Sequence, residues 1–573
     1  MQSFKVTYPF LIFSLAFSTL IPNAMTAEGP SFSEQAGTLE KELREREVKK
    51  RLEEIKLPEI ENKIVQEEGE ELISTEFQVN KIHITGSTVF HQADIDQLKA
   101  FYENQTSSLV KLKSLAKDIT SYYRTRGYVT SRAIVPPQKL EGNEVEIRIY
   151  EGKVGDVKIE GLKHTKESLI RRRFHIQSGQ ILRYQDIERR LAALNVNPDR
   201  TVRVVMLPGE KPETTDIILK IGDRFPYHAG YGFNNLGTES AGILRQSVTA
   251  TATNLLGWDD QLSTRFEISE RGDFKGETAN YLTPLDSRGD LISIDFSHVD
   301  IELGKNLKSF NAKGRALVFG PTLVLPFLQT QFLTGEWDMG FDYKRIRTLL
   351  SGTPFSKDDL RVFRFGPNFI ENDQSGRTIF TNNFQIAFGT FMGGLDDNDP
   401  AASRPEADGH FWQYNVALGR LQNIWNGTQA IGRGSAQFSP HRLVPAQQFR
   451  LGGFDTVRGY PEGDFLGDYG YQGTFELRVP PYFIPSDWKW PGSQHSIRDT
   501  VREVAFVDYG AGFLNDPFEI ELKSQHLMGI GGGLRIAITD HLRARIDWGV
   551  PVSGKSTTEG RESRAHFSLE GGF

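Results

Sequence analysis

The C-terminal part of the chain, from about Pro226 onward, alternates apolar and polar residues in short runs separated by glycines. Residues 412–418 place Trp, Tyr, Val and Leu at every second position, and residues 542–550 do the same with Leu, Ala, Ile, Trp and Val. A period of two puts these side chains on one face of a β-strand and the intervening Arg, Asp and Gln side chains on the other. The pattern therefore predicts a large antiparallel β-structure.

Alternation alone does not separate a soluble sandwich from a membrane barrel, because the apolar face packs inward in the first and meets lipid in the second. Residues 224–573 are too many for a single sandwich, and a secretory signal precedes them. At roughly 22 residues for each strand and its loop, this region holds about 16 strands, an even number as in bacterial barrels. We therefore predict that residues 224–573 form an all-β transmembrane barrel of antiparallel strands.

The end of the chain keeps the register of a strand. Ala565, Phe567, Leu569, Gly571 and Phe573 fall on one face, and Phe573 is aromatic. This arrangement is typical of insertion into the outer membrane. We predict that Phe567, Leu569 and Phe573 form the C-terminal insertion signal, with outer-membrane lipid and the barrel-assembly machinery as partners.

The N-terminus has the features of a secretory signal peptide. Lys5 supplies a positive charge, Tyr8 to Ile21 are mostly apolar, and Ala24 to Ala27 offer a cleavage site. The apolar run is shorter than the ~20 residues of a spanning helix. We predict a signal peptide over residues 1–27 and, for the mature chain, the outer membrane of a Gram-negative bacterium.

Residues 28–75 are highly charged. Between Leu39 and Ile55 a few apolar residues recur at helical spacing among Glu, Lys and Arg. We predict a polar helix that ends near Pro58 and continues into an acidic linker. A solvated segment and a docked helix both fit this pattern.

Residues 76–223 contain the order strand, helix, helix, strand, strand twice over. The first copy begins with a strand from Phe77 to Gly86, and the second has Val154, Val157 and Ile159 before another glycine. Such a repeat indicates two copies of one α/β unit. We place the first over residues 76–152 and the second over residues 153–223.

Short motifs add a resemblance to a known family. The Gly-rich region contains Arg450-Leu-Gly-Gly453 and Val457-Arg-Gly-Tyr460, with about eleven predicted strands before the second motif and roughly five after it. The first α/β unit contains Ala133-Ile-Val-Pro-Pro-Gln138, and the second contains Asn195-Val-Asn-Pro198. The chain resembles the TpsB transporters of two-partner secretion, the haemolysin-activator and filamentous-haemagglutinin exporter type of the BamA-related superfamily. The resemblance identifies the two α/β units as POTRA domains.

The resemblance also implies a functional site. In the family, the loop with Val457, Arg458, Gly459 and Tyr460 folds into the barrel lumen, and its Arg pairs with an Asp of a Phe/Gly-x-Asp-x-Gly strand. The matching residues here are Phe506, Asp508 and Gly510. Independently, Ala505, Val507 and Tyr509 are residues typical of a lipid-facing row, so that Asp508 is predicted to face the lumen. An Arg and an Asp that are removed from bulk water are expected to pair.

The function that the resemblance implies is export of a protein. The POTRA domains would bind an unfolded TpsA-type exoprotein in the periplasm by adding a client strand to a sheet edge. The barrel pore would then pass the client to the cell surface without ATP, and the polar N-terminal helix would plug the lumen at rest. A BamA-like insertase and a passive porin are the alternatives, and the two POTRA domains argue against the porin.

Other classes of function find little support in the residues. Net charge is −7 with no Cys, which gives no indication of nucleic acid or of a thiolate zinc site. Gly549 to Ser556 fits a phosphate-loop pattern formally, but a turn-like stretch and not a helix follows it. We find no motif of a known catalytic site, so we predict no enzyme activity, no cofactor and no metal site.

Overall fold

The structure is a computed structural model that describes residues 41, 59–62, 76–304, 311–330, 332–491, 495–539, 542–557 and 563–573. The predicted signal peptide and most of residues 28–75 lie outside the described residues. No helix in this described part is long and apolar enough to cross a bilayer.

The first α/β unit consists of a main sheet, a small hairpin and two helices. In chain order the elements are β2 Glu76–Val79, β3 Lys81–Thr85, α1 Gln92–Lys99, β4 Gln105–Ser108, α2 Leu109–Thr125, β5 Arg132–Ile134 and β6 Glu144–Tyr150. The main sheet has the order β3-β6-β5, with β3 parallel to β6. Leu112, Ile119 and Tyr123 of α2 pack against Ile82 and Ile147 of this sheet. Strand β4 was missed by the sequence analysis because its sequence, Gln-Thr-Ser-Ser, has no apolar alternation.

The second unit repeats this plan immediately below the barrel. Its elements are β7 Lys153–Glu160, α3 Glu167–Phe174, α4 Tyr184–Leu194, β8 Arg200–Pro208 and β9 Thr214–Asp223. A strand from outside the unit, β1 Glu59–Asn62, completes a sheet of order β1-β8-β9-β7. The prediction of an acidic linker is therefore wrong at residues 59–62, because a run of four residues in charged surroundings carries no strand period from which a strand could be predicted.

Matching glycines show that the two units are copies at atomic detail. Gly86 and Gly161 each follow the first main strand, with φ of +90° and +91°. A Cβ atom at Gly86 would lie 2.2 Å from the carbonyl oxygen of Ile149, and one at Gly161 would lie 2.2 Å from that of Ile221. Both positions therefore require glycine for the turn and for the close approach of the last strand.

A carboxylate at the end of the last strand holds the loop after each of these glycines. Glu151 accepts a hydrogen bond from the backbone N–H of Thr88 at 2.7 Å, and Asp223 accepts one from that of Thr165 at 2.7 Å. Burial raises the pKa of both carboxyl groups, but these hydrogen bonds outweigh it and hold each pKa below its ordinary value. A carboxylate at the end of the last strand therefore fixes the corresponding loop in each unit.

The C-terminal region is a closed antiparallel barrel of sixteen strands, which confirms the predicted fold class. The first eight strands are β10 Tyr227–Asn234, β11 Arg245–Ala252, β12 Gln261–Ser269, β13 Phe274–Pro284, β14 Leu291–Glu302, β15 Lys313–Gln329, β16 Leu333–Leu350 and β17 Thr353–Asp373. The last eight are β18 Gly376–Phe388, β19 His410–Asn423, β20 Gln429–Phe438, β23 Tyr469–Val479, β24 Val501–Phe513, β25 Ser524–Thr539, β26 Leu542–Ser553 and β27 Arg564–Gly572. Pairing of β10 with β27 closes the barrel.

The two faces of the barrel wall follow the alternation of the sequence. On β26, Ile546 and Trp548 are 44% and 50% exposed on the outer surface, whereas Asp547 between them is fully buried. On β19, Leu418 is 52% exposed and Gln413 is 1% exposed. The outer surface is therefore the apolar one, as a lipid-facing wall requires.

Buried polar contacts hold the second unit against the periplasmic side of the barrel. Arg200 lies 2.7 Å from Asp259, a residue of the turn between β11 and β12, and both side chains are buried. Asn197, which belongs to the Asn195–Pro198 motif, donates to the carbonyl oxygen of Thr253 in the same turn. The motif therefore fixes the second unit at the entrance of the barrel.

Candidate functional site

The loop that carries the Val457–Tyr460 motif connects the eleventh and twelfth barrel strands, β20 and β23. It contains a hairpin of β21 Phe449–Leu451 and β22 Phe465–Gly467, which packs against β24 of the wall. Five barrel strands follow the loop, as the sequence analysis expected from the position of the motif. The tip of the loop lies inside the barrel, where Val457 and Tyr460 are almost completely buried.

Arg458 makes a two-pronged contact with Asp508 on β24. Its Nε lies 2.7 Å from Asp508 Oδ2 and its Nη2 lies 2.9 Å from Asp508 Oδ1. The backbone N–H of Arg458 donates to the same carboxylate at 3.1 Å. Arg458 is 2% exposed and Asp508 is fully buried, so this pair is removed from bulk solvent. Such bidentate pairs fix orientation as well as position.

Phe506 and Gly510, the other two residues of the wall motif, shape the space around this pair. The Arg458 guanidinium carbon lies 3.3 Å from the centre of the Phe506 ring, a cation–π arrangement. A Cβ atom at Gly510 would lie 2.3 Å from Leu451 of β21. Phe506 therefore supports the guanidinium, and Gly510 leaves room for the loop hairpin.

The charged cluster is larger than the predicted pair. Arg458 Nη1 also lies 3.0 Å from Glu476 on β23 and 3.5 Å from Asp547 on β26. Arg535 on β25 bridges the same two carboxylates, at 3.1 Å from Glu476 and 2.7 Å from Asp547. We name these five residues, Arg458, Glu476, Asp508, Arg535 and Asp547, the lumen charge cluster. It joins the loop to four adjacent strands of the wall.

Sequence reasoning did not assign Glu476, Arg535 or Asp547 to the site. The alternation placed Asp547 on the polar face of its strand, but many lumen residues share that property. Only the infolding of the motif loop brings Arg458 against these side chains of neighbouring wall strands.

Gly459 and Tyr460 fix the tip of the loop against the last strands of the wall. Gly459 has φ of +99°, a conformation that other residues rarely adopt. The Tyr460 hydroxyl donates to the carbonyl oxygens of Met528 on β25 and Ser553 on β26. The tip therefore rests on β25 and β26 as well as on β24.

Two wall glycines make this close approach possible. A Cβ atom at Gly529 would lie 2.0 Å from the carbonyl oxygen of Arg458, and one at Gly549 would lie 2.5 Å from the backbone nitrogen of Gly459. Both contacts are with the loop backbone, which a rotamer change cannot relieve. The loop therefore fits this part of the wall only where the wall carries no side chain.

We expect Gly529→Ala to displace the loop tip and to reduce export, because the added methyl group overpacks the contact at a cost of about 1–3 kcal/mol. Secretion of the partner and protease sensitivity of the loop would measure this effect. Gly432→Ala on β20 is the matched control, since a Cβ atom there meets no atom within 4 Å. Equal export by the two variants would contradict the assigned contact.

The other predicted residues lie away from the cluster. Leu569 of β27 is 41% exposed on the outer surface, and Phe573 donates its N–H to Ala229 of the first strand. Phe567 lies on the same strand, with its ring 5.5 Å from that of Phe233.

Residues 549–556 run from β26 into the connection to β27, and Ser556 donates to Asp464 of the motif loop at 2.6 Å. The phosphate-loop pattern thus lies in a strand and its turn.

One described residue of the N-terminal segment reaches the motif loop. Lys41 is helical, and its ammonium group donates to the carbonyl oxygens of Gln448 at 2.9 Å and of Gln447 at 3.4 Å. Both glutamines lie between β20 and the loop hairpin. The rest of the predicted plug helix lies outside the described residues.

Comparison with known proteins agrees with this architecture. The profile of the family described as "Haemolysin secretion/activation protein ShlB/FhaC/HecB" matches residues 213–536, and the profile "POTRA domain, ShlB-type" matches residues 77–152. The outer membrane transporter CdiB of Dickeya dadantii is 25% identical over 489 residues, which cover 83% of each chain. The heme/hemopexin transporter protein HuxB of Haemophilus influenzae is 24% identical over 450 residues, which cover 76% of each chain.

A solved structure has the same fold. CdiB from Escherichia coli superposes with a TM-score of 0.76 at 20% identity, over 96% of this chain and all of that one. With the family profile matching more than half of the 573 residues, the resemblance noted in the sequence is confirmed. The chain belongs to the ShlB/FhaC/HecB family of haemolysin secretion/activation proteins, outer-membrane β-barrel transporters with periplasmic POTRA domains that export a partner exoprotein.

Proposed function

We propose that the lumen charge cluster holds the motif loop in the position that export requires, and that an unfolded client enters through the two POTRA domains at residues 76–152 and 153–223. The observation that carries this proposal is the buried bidentate contact of Arg458 with Asp508. The loop narrows the lumen and shapes the route that the client follows beside it. Val457, Arg458, Gly459 and Tyr460 fix this loop to strands β24 to β26. Export needs no ATP, because folding of the client outside prevents its return.

The polar helix predicted before Pro58, within residues 28–75, closes the remaining lumen at rest. The contact of Lys41 with Gln448 supports this role, because it places a helical residue of that segment beside the motif loop. A helix that is charged on all sides suits a hydrated, polar lumen and not a lipid environment.

The client is a large secreted exoprotein of the TpsA type. Relatives are named as a heme/hemopexin transporter and as CdiB transporters, and this chain matches both over three quarters or more of its length. Outer-membrane lipid contacts the barrel wall, and the barrel-assembly machinery inserts the chain through Phe567, Leu569 and Phe573. We propose no enzymatic step, cofactor or metal for this activity.

Deletion of residues 76–152 tests the role of the first POTRA domain. We expect the shortened chain to insert into the outer membrane but to leave the exoprotein in the periplasm, because the client loses a binding sheet. Immunoblots of the medium and the periplasm would measure the distribution. Export at the normal level would refute the proposal, and defects in other outer-membrane barrels would favour the insertase alternative.

A further inference from the structure

The outer face of strand β16 changes from apolar to basic toward the extracellular end of the barrel. Strand β14 starts from a turn in which Ser287 accepts a hydrogen bond from Arg190 of the second POTRA domain at 3.2 Å, so that β16 runs toward the extracellular side. Its outward positions 337, 339, 341 and 343 are Trp, Met, Phe and Tyr, and the next two are Arg345 and Arg347. The charges therefore begin where the lipid-facing aromatic girdle ends.

The neighbouring strand β17 adds one carboxylate and a third cation to this face. Asp359 lies directly opposite Arg345, and Lys357 lies directly opposite Arg347. Asp359 is shared by all three cations, at 3.7 Å from Arg345, 2.9 Å from Arg347 and 3.1 Å from Lys357. We name Arg345, Arg347 and Lys357 the outer basic patch. Three cations with one carboxylate leave an excess of positive charge, and like charges opposite each other destabilise a sheet.

Other cations at this end of the wall each have a carboxylate of their own. Lys313 on β15 lies 2.7 Å from Glu302, and Arg315 lies 2.8 Å from Asp300. In the part of the chain that the structure describes, Asp359 is the one carboxylate within 4.0 Å of the outer basic patch. The unbalanced charge is therefore a property of the patch and not of the whole rim.

An apolar surface lies directly beside the patch. The Arg361 guanidinium carbon lies 3.6 Å from the centre of the Tyr343 ring, and its Nε donates to the carbonyl oxygen of Met392 at 3.2 Å. This contact holds the loop between β18 and β19 against the wall, where Phe391 and Met392 are exposed. The Phe391 ring packs on that of Phe388, which is exposed on the outer face of β18. A ligand that combines anionic groups with hydrocarbon chains matches both surfaces.

We propose that the outer basic patch binds the phosphate groups of a glycolipid of the lipid A type in the outer leaflet of the membrane. A phosphate monoester supplies the missing negative charge, and its oxygens suit the planar fork of an arginine. The acyl chains lie along Phe391, Met392 and the apolar row of β16. This role rests on the proposed contact of outer-membrane lipid with the barrel wall, and it is independent of the route that the client follows.

Native mass spectrometry of the full-length protein in detergent, with bisphosphorylated lipid A as the added lipid, tests this proposal. We expect Arg345→Ala with Lys357→Ala to bind lipid A about tenfold or more weakly, because two charge-assisted contacts with phosphate are lost. Arg347 keeps Asp359 as its partner in this variant, at 2.9 Å, so that the charges that remain are balanced.

The matched control is Arg148→Ala with Arg288→Ala, which removes two exposed arginines far from the patch. Arg148 lies in the first POTRA domain, 2.8 Å from Glu146, and Arg288 lies in a periplasmic turn, 2.6 Å from Asp286. Both double variants therefore lose the same formal charge. We expect the control to bind lipid A as tightly as the unaltered protein, and equal weakening in the two variants would overturn the proposal.

A second measurement uses the unaltered protein. Lipid A without its phosphate groups should bind about tenfold or more weakly than the bisphosphorylated form, and inorganic phosphate at the same concentration should not displace that form. Equal binding of the two lipids would show that the patch has no role, although the contact of the wall with lipid would stand. Binding of neither lipid would refute that contact as well, and displacement by inorganic phosphate would show a site for free anions. Neither result bears on export, which Arg458→Ala tests separately.

Discussion

Replacement of Arg458 by alanine is expected to abolish export of the partner while the barrel remains inserted in the outer membrane. The change removes the guanidinium that joins the motif loop to Asp508, Glu476 and Asp547. The three carboxylates, each at most 6% exposed, then lie near one another. Only the remaining arginines neutralise their negative charge. Breaking a buried ion pair by removal of one partner typically costs about 3–5 kcal/mol.

An energy of this size decides the position of the loop. If the docked and released loops are in equilibrium, about 4 kcal/mol changes their ratio by roughly a thousandfold. The barrel itself keeps its sixteen-strand pairing, because its strands pair through their backbones, whereas the Arg458 side chain bonds to the side chains of Asp508 and Glu476. Secretion of the exoprotein and heat-modifiable mobility of the barrel on gels would measure the two properties separately.

Two further substitutions sharpen this test. Arg458→Lys keeps the charge but replaces the planar fork with a single ammonium group, which cannot reproduce the bidentate contact with Asp508. We expect it to be defective as well. Arg315→Ala removes an exposed arginine that lies 2.8 Å from Asp300 and is 66% exposed, and it should export normally. Normal secretion by the Arg458→Ala variant would exclude the assigned role of the loop contact.

Deletion of residues 28–57 is expected to raise the single-channel conductance of the protein severalfold in planar bilayers. The physical reason is that a sixteen-strand barrel encloses a water-filled lumen, and a helix of roughly 10 Å diameter occupies much of it. The contact of Lys41 with Gln448 is the structural observation that motivates this expectation. The deletion ends before Glu59, so that strand β1 is retained.

Substitutions of Lys41 provide the control for this experiment. Lys41→Ala removes the ammonium group that donates to the carbonyl oxygens of Gln448 and Gln447, and we expect it to raise the conductance toward that of the deletion variant. Lys41→Arg keeps a cationic donor at this position and should keep the conductance low. Unchanged conductance after the deletion would remove the plug from the proposed mechanism.

Much of the architecture could be predicted because it depends on local periodicity. The period of two along residues 542–550 placed Ile546 and Trp548 on one face and Asp547 on the other, and the structure has them so. The repeat of strand, helix, helix, strand, strand predicted two copies of one α/β unit, and the structure has both, with helix α4 at Tyr184–Leu194 as expected from the sequence. The motif Val457–Tyr460 lies after eleven strands and before five.

The sequence by itself determined the barrel, its polar lumen and the family motif, because alternation and turn residues act over a few neighbours along the chain. Only the tertiary structure decided that Glu476, Arg535 and Asp547 surround Arg458, since the motif loop folds into the lumen and brings Arg458 against side chains of several neighbouring wall strands. The tertiary structure also decided that residues 59–62 pair with β8. Pairing of an added strand depends on which sheet edge is open. The sequence of a short charged segment does not indicate which edge it will pair with.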